Sequence, residues 1–275
     1  MMSSEQIAPV VAEQQAPHET HFVKQVAASF GKACDSYLAA ARLQQQVARD
    51  ALALLPEIKQ GQLLDLGCGP GWIHPEFSKY CSAFTAVDLS EGMLAKASSQ
   101  QRAMAYVQAD AAALPLAAEQ FDNVFSSLML QWCPRPAAVL SEMTRVLAPH
   151  GQLIVSTLVQ GTLHELQDAF ATLDQHPHIH SFLPETALIA AASQLPGISW
   201  QFELRSYPLY YPDVQSLARE LKALGANQIA GRGQTGLTGK GYWQKLAAAY
   251  EKHRTSEGIT ATYKVLFIRG EKYGR

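Results

Sequence analysis

The stretch Leu63-Leu64-Asp65-Leu66-Gly67-Cys68-Gly69-Pro70-Gly71 constrains this chain more than any other. An apolar run of strand type ends in alternating glycines. A chain bends that sharply, with a ligand laid against its backbone, where Cβ atoms are missing. Two aspartates answer the turn downstream, Asp88 after Phe84-Thr85-Ala86-Val87 and Asp110 after Tyr106-Val107-Gln108.

The rest of the pattern supplies a frame for that turn. Residues 1–20 are Ser, Gln, Ala, Pro and Glu rich without periodicity and read as a disordered tail. Residues 21–60 are helical in spacing, with Val23, Val26, Phe30, Tyr37, Leu38 and Val47 recurring every three to four positions, and Gly31 expected to divide two helices. Residues 61–160 alternate strand and helix. Trp72 to Tyr80 reads as a first crossover helix, which Pro75 limits to a start near Ile73 or His74, and Ser90 caps a helix to Gln101. Phe121 opens strand four, Pro136 to Leu147 is a helix, and Gln152 to Leu158 is strand five. Five alternations predict a parallel sheet with helices on both faces. Residues 161–275 add a helix capped by Thr162, a helix opened by Pro184, and a strand from Trp200 to Tyr211. An Asp213-capped helix, a glycine-rich loop from Gly231 to Gly241, a helix from Tyr242 to Arg254 and a last strand from Ile259 to Arg269 follow. The expected fold is therefore α/β: a doubly wound, mostly parallel seven-stranded sheet of Rossmann type, with N-terminal helices and a helical lid inserted before the last strand.

In such sheets ligands lie at the carboxyl ends of the strands. The glycine turn, Asp88, Asp110 and the Ser127–Trp132 loop all fall there. Dinucleotide sites want G-x-G-x-x-G, with a pyrophosphate on a helix N-terminus. Here the spacing is Gly67-x-Gly69-x-Gly71, Trp72 stands where the third glycine belongs, and Asp65 precedes the turn. That carboxylate repels a pyrophosphate but favours an ammonium, directly or through water. Asp88 is placed to accept from both ribose hydroxyls, and Asp110 from an adenine amino group. The charges suit S-adenosylmethionine, which is cationic and has no phosphate.

The segments LDLGCGPG (64–71), AVDLS (86–90), QAD (108–110), FDNVFSSLMLQW (121–132) and RVLAPHGQLIVS (145–156) resemble the class I S-adenosylmethionine-dependent methyltransferases. His150 departs from the Gly-Gly usual in the last of these. A narrower resemblance is carried by VAASFGKACDSYLAAARLQ (26–44), LQWC (130–133), TLVQGTLHELQDAF (157–170), HPHIHSFLP (176–184) and LKALGA (221–226). These segments are similar to the malonyl-acyl-carrier-protein O-methyltransferase family. That resemblance implies a cytoplasmic enzyme that methylates the free carboxylate of a malonyl thioester, priming pimeloyl and biotin synthesis, with S-adenosylmethionine as cofactor, no metal, and acyl carrier protein as partner.

The cofactor is expected on Asp65, Gly67, Cys68, Gly69, Gly71, Asp88, Leu89, Met93, Asp110, Ala111, Ser127 and Leu128. Tyr37 is expected to cover it and touch substrate, and Trp132 to wall the acyl pocket. A carboxylate is already ionised at neutral pH, its pKa being about 4, so no strong base is required. A cation that holds it is expected, with Lys222 and Arg219 on the lid helix and Arg42 before it as candidates. The alternating His176, His178 and His180 read as a polar loop, and Cys68 as a small turn residue without a base to activate it.

Totals set the remaining bounds. Net charge is −2, with 48% hydrophobic and 17% charged residues, which points to neither nucleic acid nor membrane. From Gln215 onward eleven Lys/Arg face four acids, so a basic face suits an acidic partner. Four cysteines without paired spacing suit a reducing compartment. No apolar run approaches a membrane span and no signal peptide is seen. Two rival readings remain open: a methyltransferase for a free small acid or quinone-like ring, and a non-catalytic S-adenosylmethionine-binding protein.

Overall fold

The computed structural model describes residues 12–33, 37–57, 60–224 and 239–274. Residues 1–11 of the expected tail and most of the Gly231–Gly241 loop lie outside these. Three helices come first: α1 (Ala12–Ala33), α2 (Tyr37–Ala40) and α3 (Arg42–Leu52). The alternating core is β1 (Gln62–Leu66), β2 (Ala83–Asp88), α4 (Glu91–Ser98), β3 (Ala105–Gln108), β4 (Phe121–Ser127), α5 (Pro136–Val146) and β5 (Leu147–Leu158). After it come α6 (His164–Ala171), α7 (Glu185–Ser193), β6 (Ile198–Tyr211), α8 (Val214–Ala223), α9 (Lys240–Tyr250), the two-residue β7 (Arg254–Thr255) and β8 (Gly258–Lys272).

The sheet runs in the order β3-β2-β1-β4-β5-β8-β6, with β7 paired to β8. Strands β1 to β5 pair in parallel, and β8 is antiparallel to both β5 and β6. This is the expected doubly wound sheet, with α8 and α9 inserted before the last long strand. Chain order reverses beside β1, where β2 lies on one side and β4 on the other. A crevice opens at such a reversal. The central strands are apolar on both faces, as a covered parallel sheet requires. Leu63, Phe125, Ile154 and Phe267 pack under α3 and α6, whereas Leu64, Leu66, Val124 and Val155 pack under α5 and α7.

Several boundaries differ from the sequence reading. Helix α1 begins at Ala12, within the stretch expected to be a disordered tail. It also runs through Gly31 instead of dividing there. The glycine serves packing: a Cβ on Gly92 of α4 would lie 3.1 Å from Gly31 Cα and 3.1 Å from its carbonyl oxygen. Two glycines thus let α1 cross α4 almost backbone to backbone. The first crossover is a 3-10 helix, His74–Lys79, because Pro75 sits at its start and no longer run follows. Thr162 does not cap α6. Its hydroxyl donates to the Lys264 carbonyl at 3.2 Å and accepts from the Lys264 N–H at 3.0 Å, tying the loop to β8. Leu163 takes the cap position instead, at φ +55. His150, which replaces a glycine of the resembling family, adopts φ +63, so the left-handed turn persists without glycine.

The α1–α4 crossing yields a test. Gly92→Val puts branched carbons into the Gly31 backbone, and a loss of about 1–3 kcal/mol in denaturant unfolding is expected. A variant as stable as wild type would mean that the helices do not need this approach.

Candidate active site

The turn after β1 is shaped by backbone bonds. Gly67 and Cys68 N–H groups both donate to the Val87 carbonyl, at 2.8 and 3.0 Å. Gly67, Gly69 and Gly71 have φ of +77, +53 and +73, values that L side chains rarely take. Each glycine has its own second reason. A Cβ on Gly67 would meet the Met129 side chain at 2.5 Å, and one on Gly71 would meet the His74 ring at 2.6 Å. A Cβ on Gly69 would meet nothing within 4 Å, so this backbone faces open space.

That space is a cavity of about 440 Å³ at the carboxyl ends of the strands. Its wall includes Gly67, Gly69, Asp88, Leu89, Met93, Asp110, Ala111, Ser127 and Leu128, nine of the residues expected to hold cofactor. Asp88 accepts from Gly69 N–H at 2.9 Å and from Ser90 N–H at 2.8 Å, one on each oxygen. A carboxylate has about four lone-pair sites, so two remain for a vicinal diol. Burial pushes Asp88 up to about 6, against the lowering effect of its two backbone bonds. Asp110 accepts from Ala112 N–H through one oxygen, which closes a turn and leaves the other oxygen to a ligand. An adenosine with a ribose diol and an exocyclic amine fits these acceptors.

Three expected cofactor residues lie outside the wall. Asp65 is 2% exposed and its Oδ2 accepts from His74 Nε2 at 3.0 Å, so it braces the turn from beneath instead of facing an ammonium. Gly71 packs against His74 and α4. Cys68 is buried, not exposed as a turn residue would be, and burial holds its thiol well above the usual range, with the charges of Asp65 and Asp88 adding to the effect. Ligand atoms of Asp65, Cys68 and His74 lie within 4.8 Å of one another, a spacing that can hold a metal ion. Here the Asp65–His74 bond makes the group a buried brace beneath the glycine turn.

A second cavity, of about 190 Å³, adjoins the first. Phe30, Tyr37, Leu128 and Trp132 line both. Tyr37 and Trp132 thus stand at the junction of the two cavities. Burial raises the Tyr37 phenol, with the Asp88 charge adding to it, so Tyr37 stays a hydrogen-bond donor. Trp132 meets Phe30 edge-on at 5.5 Å and His180 at 4.9 Å between ring centroids. Leu128 holds φ +52, a rare conformation for a non-glycine residue, at the end of β4. Gln131 fixes this loop: its Nε2 donates to the Leu128 carbonyl at 2.7 Å, and its Oε1 accepts from Thr157 Oγ1 at 3.1 Å.

The expected cations are not in the second cavity. Lys222 and Arg219 are exposed on α8, and Arg219 bonds Ser216 Oγ at 2.9 Å. Arg42 pairs with Glu220 at 2.9 Å and lies 4.8 Å over the Tyr211 ring. Of α8's charged residues it is Glu220 that lines the cavity, because helix rotation turns the position between Arg219 and Lys222 inward. Sequence reasoning missed Phe30, Gln44, Phe170, His178, His180, Trp243 and Tyr263 in this wall, and the α1 residues Val23 and Ala27 that roof the larger cavity. The alternating histidines were the available signal, since two of the three reach the wall.

Comparison with known proteins follows the same lines. Residues 64–155 match a family described as methyltransferase domain. The chain is 40% identical over 236 residues to the malonyl-acyl-carrier-protein O-methyltransferase of Enterobacter lignolyticus, covering 86% of this chain and 92% of that protein. It is 37% identical over 247 residues to the biotin biosynthesis bifunctional protein BioHC of Cellvibrio japonicus, covering 89% of this chain. It spans about half of that relative, 49% of its length. Among solved structures, the YcgJ protein of Bacillus subtilis superposes with a TM-score of 0.58 at 17% identity, over 84% of this chain and 100% of that one. This last is a likeness of fold.

The Asp88 geometry predicts a pH dependence. Only the ionised carboxyl keeps an acceptor on both oxygens for a diol, so S-adenosylmethionine affinity should level off about a unit above Asp88's value of about 6 and fall by up to about tenfold per unit below it. Calorimetric titration checks this, and Asp88→Asn should bind weakly at every pH and lose the dependence.

Proposed function

The chain belongs to the malonyl-acyl-carrier-protein O-methyltransferase family, and on that premise we propose that it methylates the free carboxylate of a malonyl group carried by acyl carrier protein. The observation that carries this reading is the pair of cavities sharing one aromatic wall. The larger has acceptors for an adenosine, and the smaller has room for a short acyl chain. S-adenosylmethionine, when bound, supplies a methyl group on a positively charged sulfur and leaves as S-adenosylhomocysteine.

The protein's own work is binding, alignment and exclusion of water. Asp88 and Asp110 fix the adenosine end, and the open backbone at Gly69 lets it approach. Phe30, Tyr37, Leu128 and Trp132 enclose the junction, where one carboxylate oxygen must meet the methyl carbon opposite the sulfur. The donor's methyl carbon would pass to that oxygen with the bonding electron pair left on sulfur, so these residues would need only to hold the two groups in line. No proton is transferred, which agrees with a wall whose phenols stay protonated. Drying the site strips water from the carboxylate and sharpens it as a nucleophile. The methyl ester hides the charge of the malonyl group, consistent with the relatives' names in biotin biosynthesis.

Arg219, Lys222, Lys245 and Lys252 are exposed on the inserted helices and the turn after them, basic groups suited to an acidic carrier protein. No described helix is long and apolar enough to cross a membrane. The free thiols of Cys68, Cys81 and Cys133 fit a reducing, cytoplasmic setting.

Mass spectrometry of malonyl carrier protein after incubation with S-adenosylmethionine should show the gain of one methyl group, lost again on mild ester hydrolysis. Parallel reactions with malonyl-coenzyme A and free malonate rank the acceptors, and equal turnover of all three would remove the carrier from the proposal. Joint charge reversal at Arg219 and Lys222 should raise the KM for malonyl carrier by about three- to tenfold at low salt and less at high salt. An unchanged KM at both salt levels would move the carrier to another face.

A further inference from the structure

An anion enclosed in an apolar cavity needs a charged or strongly polar donor. The sequence reading sought that donor among Lys222, Arg219 and Arg42, and none of them lines the smaller cavity. Among the described lining residues there is no lysine or arginine, and the one carboxylate, Glu220, already accepts from Arg42 and from the Tyr211 hydroxyl at 2.7 Å. The wall's nitrogen bases are His178 and His180.

His180 is unsuited to an anion. Its Nε2 lies 3.0 Å from the Gln131 carbonyl and must donate to it. Burial among aromatic rings lowers its basicity. The ring is therefore neutral, and its Nδ1, buried without a hydrogen-bond partner, presents a lone pair.

His178 is built differently. Its side chain is 7% exposed, and its Nε2 lies 2.6 Å from Asp174 Oδ1. The same carboxylate accepts from the His176 N–H at 2.9 Å and, through Oδ2, from the Tyr242 hydroxyl at 2.8 Å. Phe170 stacks on the ring at 3.9 Å with 9° between planes. The groups facing His178 are thus Asp174 from its own loop, Tyr242 from α9, and the uncharged Phe170 from α6. The three bonds to Asp174, that from His178 foremost, keep its carboxyl far below the usual range. With Nε2 taken, Nδ1 is the nitrogen left to a ligand in the cavity.

Resting on the reading that a malonyl carboxylate enters this cavity, we propose that His178 binds it through an Nδ1–H bond, and that Asp174 and Tyr242 position the ring. In this arrangement both ring nitrogens carry a proton, one toward Asp174 and one toward the ligand, and the Asp174 carboxylate offsets the charge. The ring offers the malonyl carboxylate one directed hydrogen bond and leaves the other oxygen free to attack. A lysine in the same place would bind more tightly and blunt the nucleophile.

The test compares carrier protein loaded with malonyl and with acetyl, which lacks the carboxylate. Wild type should bind the malonyl form more tightly. His178→Asn and His178→Gln should weaken malonyl-carrier binding on the order of ten- to a hundredfold, leave acetyl-carrier binding unchanged, and keep S-adenosylmethionine affinity. Asp174→Asn should move in the same direction by a smaller factor, and it carries the test if the histidine variants lose S-adenosylmethionine binding through misfolding. Retention of the malonyl preference in variants that still bind S-adenosylmethionine overturns the assignment to His178. A wild type that does not prefer malonyl overturns the malonyl reading itself, and this inference with it.

Discussion

Asp88 closes the turn after β1 by accepting one backbone N–H on each oxygen, from Gly69 on one side and Ser90 on the other. The Val87 carbonyl beside it takes two more donors from the same turn. The end of β2 is in this way sewn to the end of β1, and the glycines are held with their backbone open to the cavity. Ser90 in turn caps α4, and α4 carries Gly92, on which α1 crosses and roofs the site. Loss of the carboxylate would release both sides of the turn. The same residue lines the larger cavity, so its partial burial serves two ends: it rigidifies the loop and leaves acceptor sites open to that space.

The two cavities divide the chemistry. One is lined by acceptors suited to an adenosine, the other by rings and two histidines. Between them stands a wall whose phenol and indole neither gain nor lose protons near neutrality. Such a wall has little to do except exclude water and hold geometry, which is what a displacement at carbon by an already ionised carboxylate requires. The inserted helices finish the second cavity. Glu220, anchored by Arg42 and Tyr211, ties α8 to the start of α3, so the insert is fastened to the N-terminal helices by a partly buried network.

Periodicity made the alternating core legible: strand ends at Leu66, Asp88, Gln108 and Ser127 are local matters of apolar runs stopped by polar turns. The aspartates of the larger cavity were legible for the same reason, because Asp88 ends its strand and Asp110 follows its own within two residues. Asp65 was placed by charge alone, and its carboxylate lies off the cavity wall, bonded to His74. Whether a buried carboxylate faces a ligand or a histidine nine residues on depends on a 3-10 turn that folds His74 back under the glycines. Gly31 was misread as a helix breaker, since a sequence cannot say that a second glycine sits across from it. Arg219 and Lys222 on α8 lie a fraction of a helical turn from the smaller cavity, and the histidine loop alone does not say that Tyr242, more than sixty residues on, packs against Asp174.

What the sequence determined by itself was the order of strands and helices and the chemistry of the glycine turn. Both follow from interactions within a few residues, where composition and spacing act directly. The tertiary structure alone decided which side chains share the second cavity. Phe30, Trp132, His178, Glu220 and Tyr263 come from segments far apart in the chain, and only the packing of the helices over one end of the strands brings them to a single small cavity.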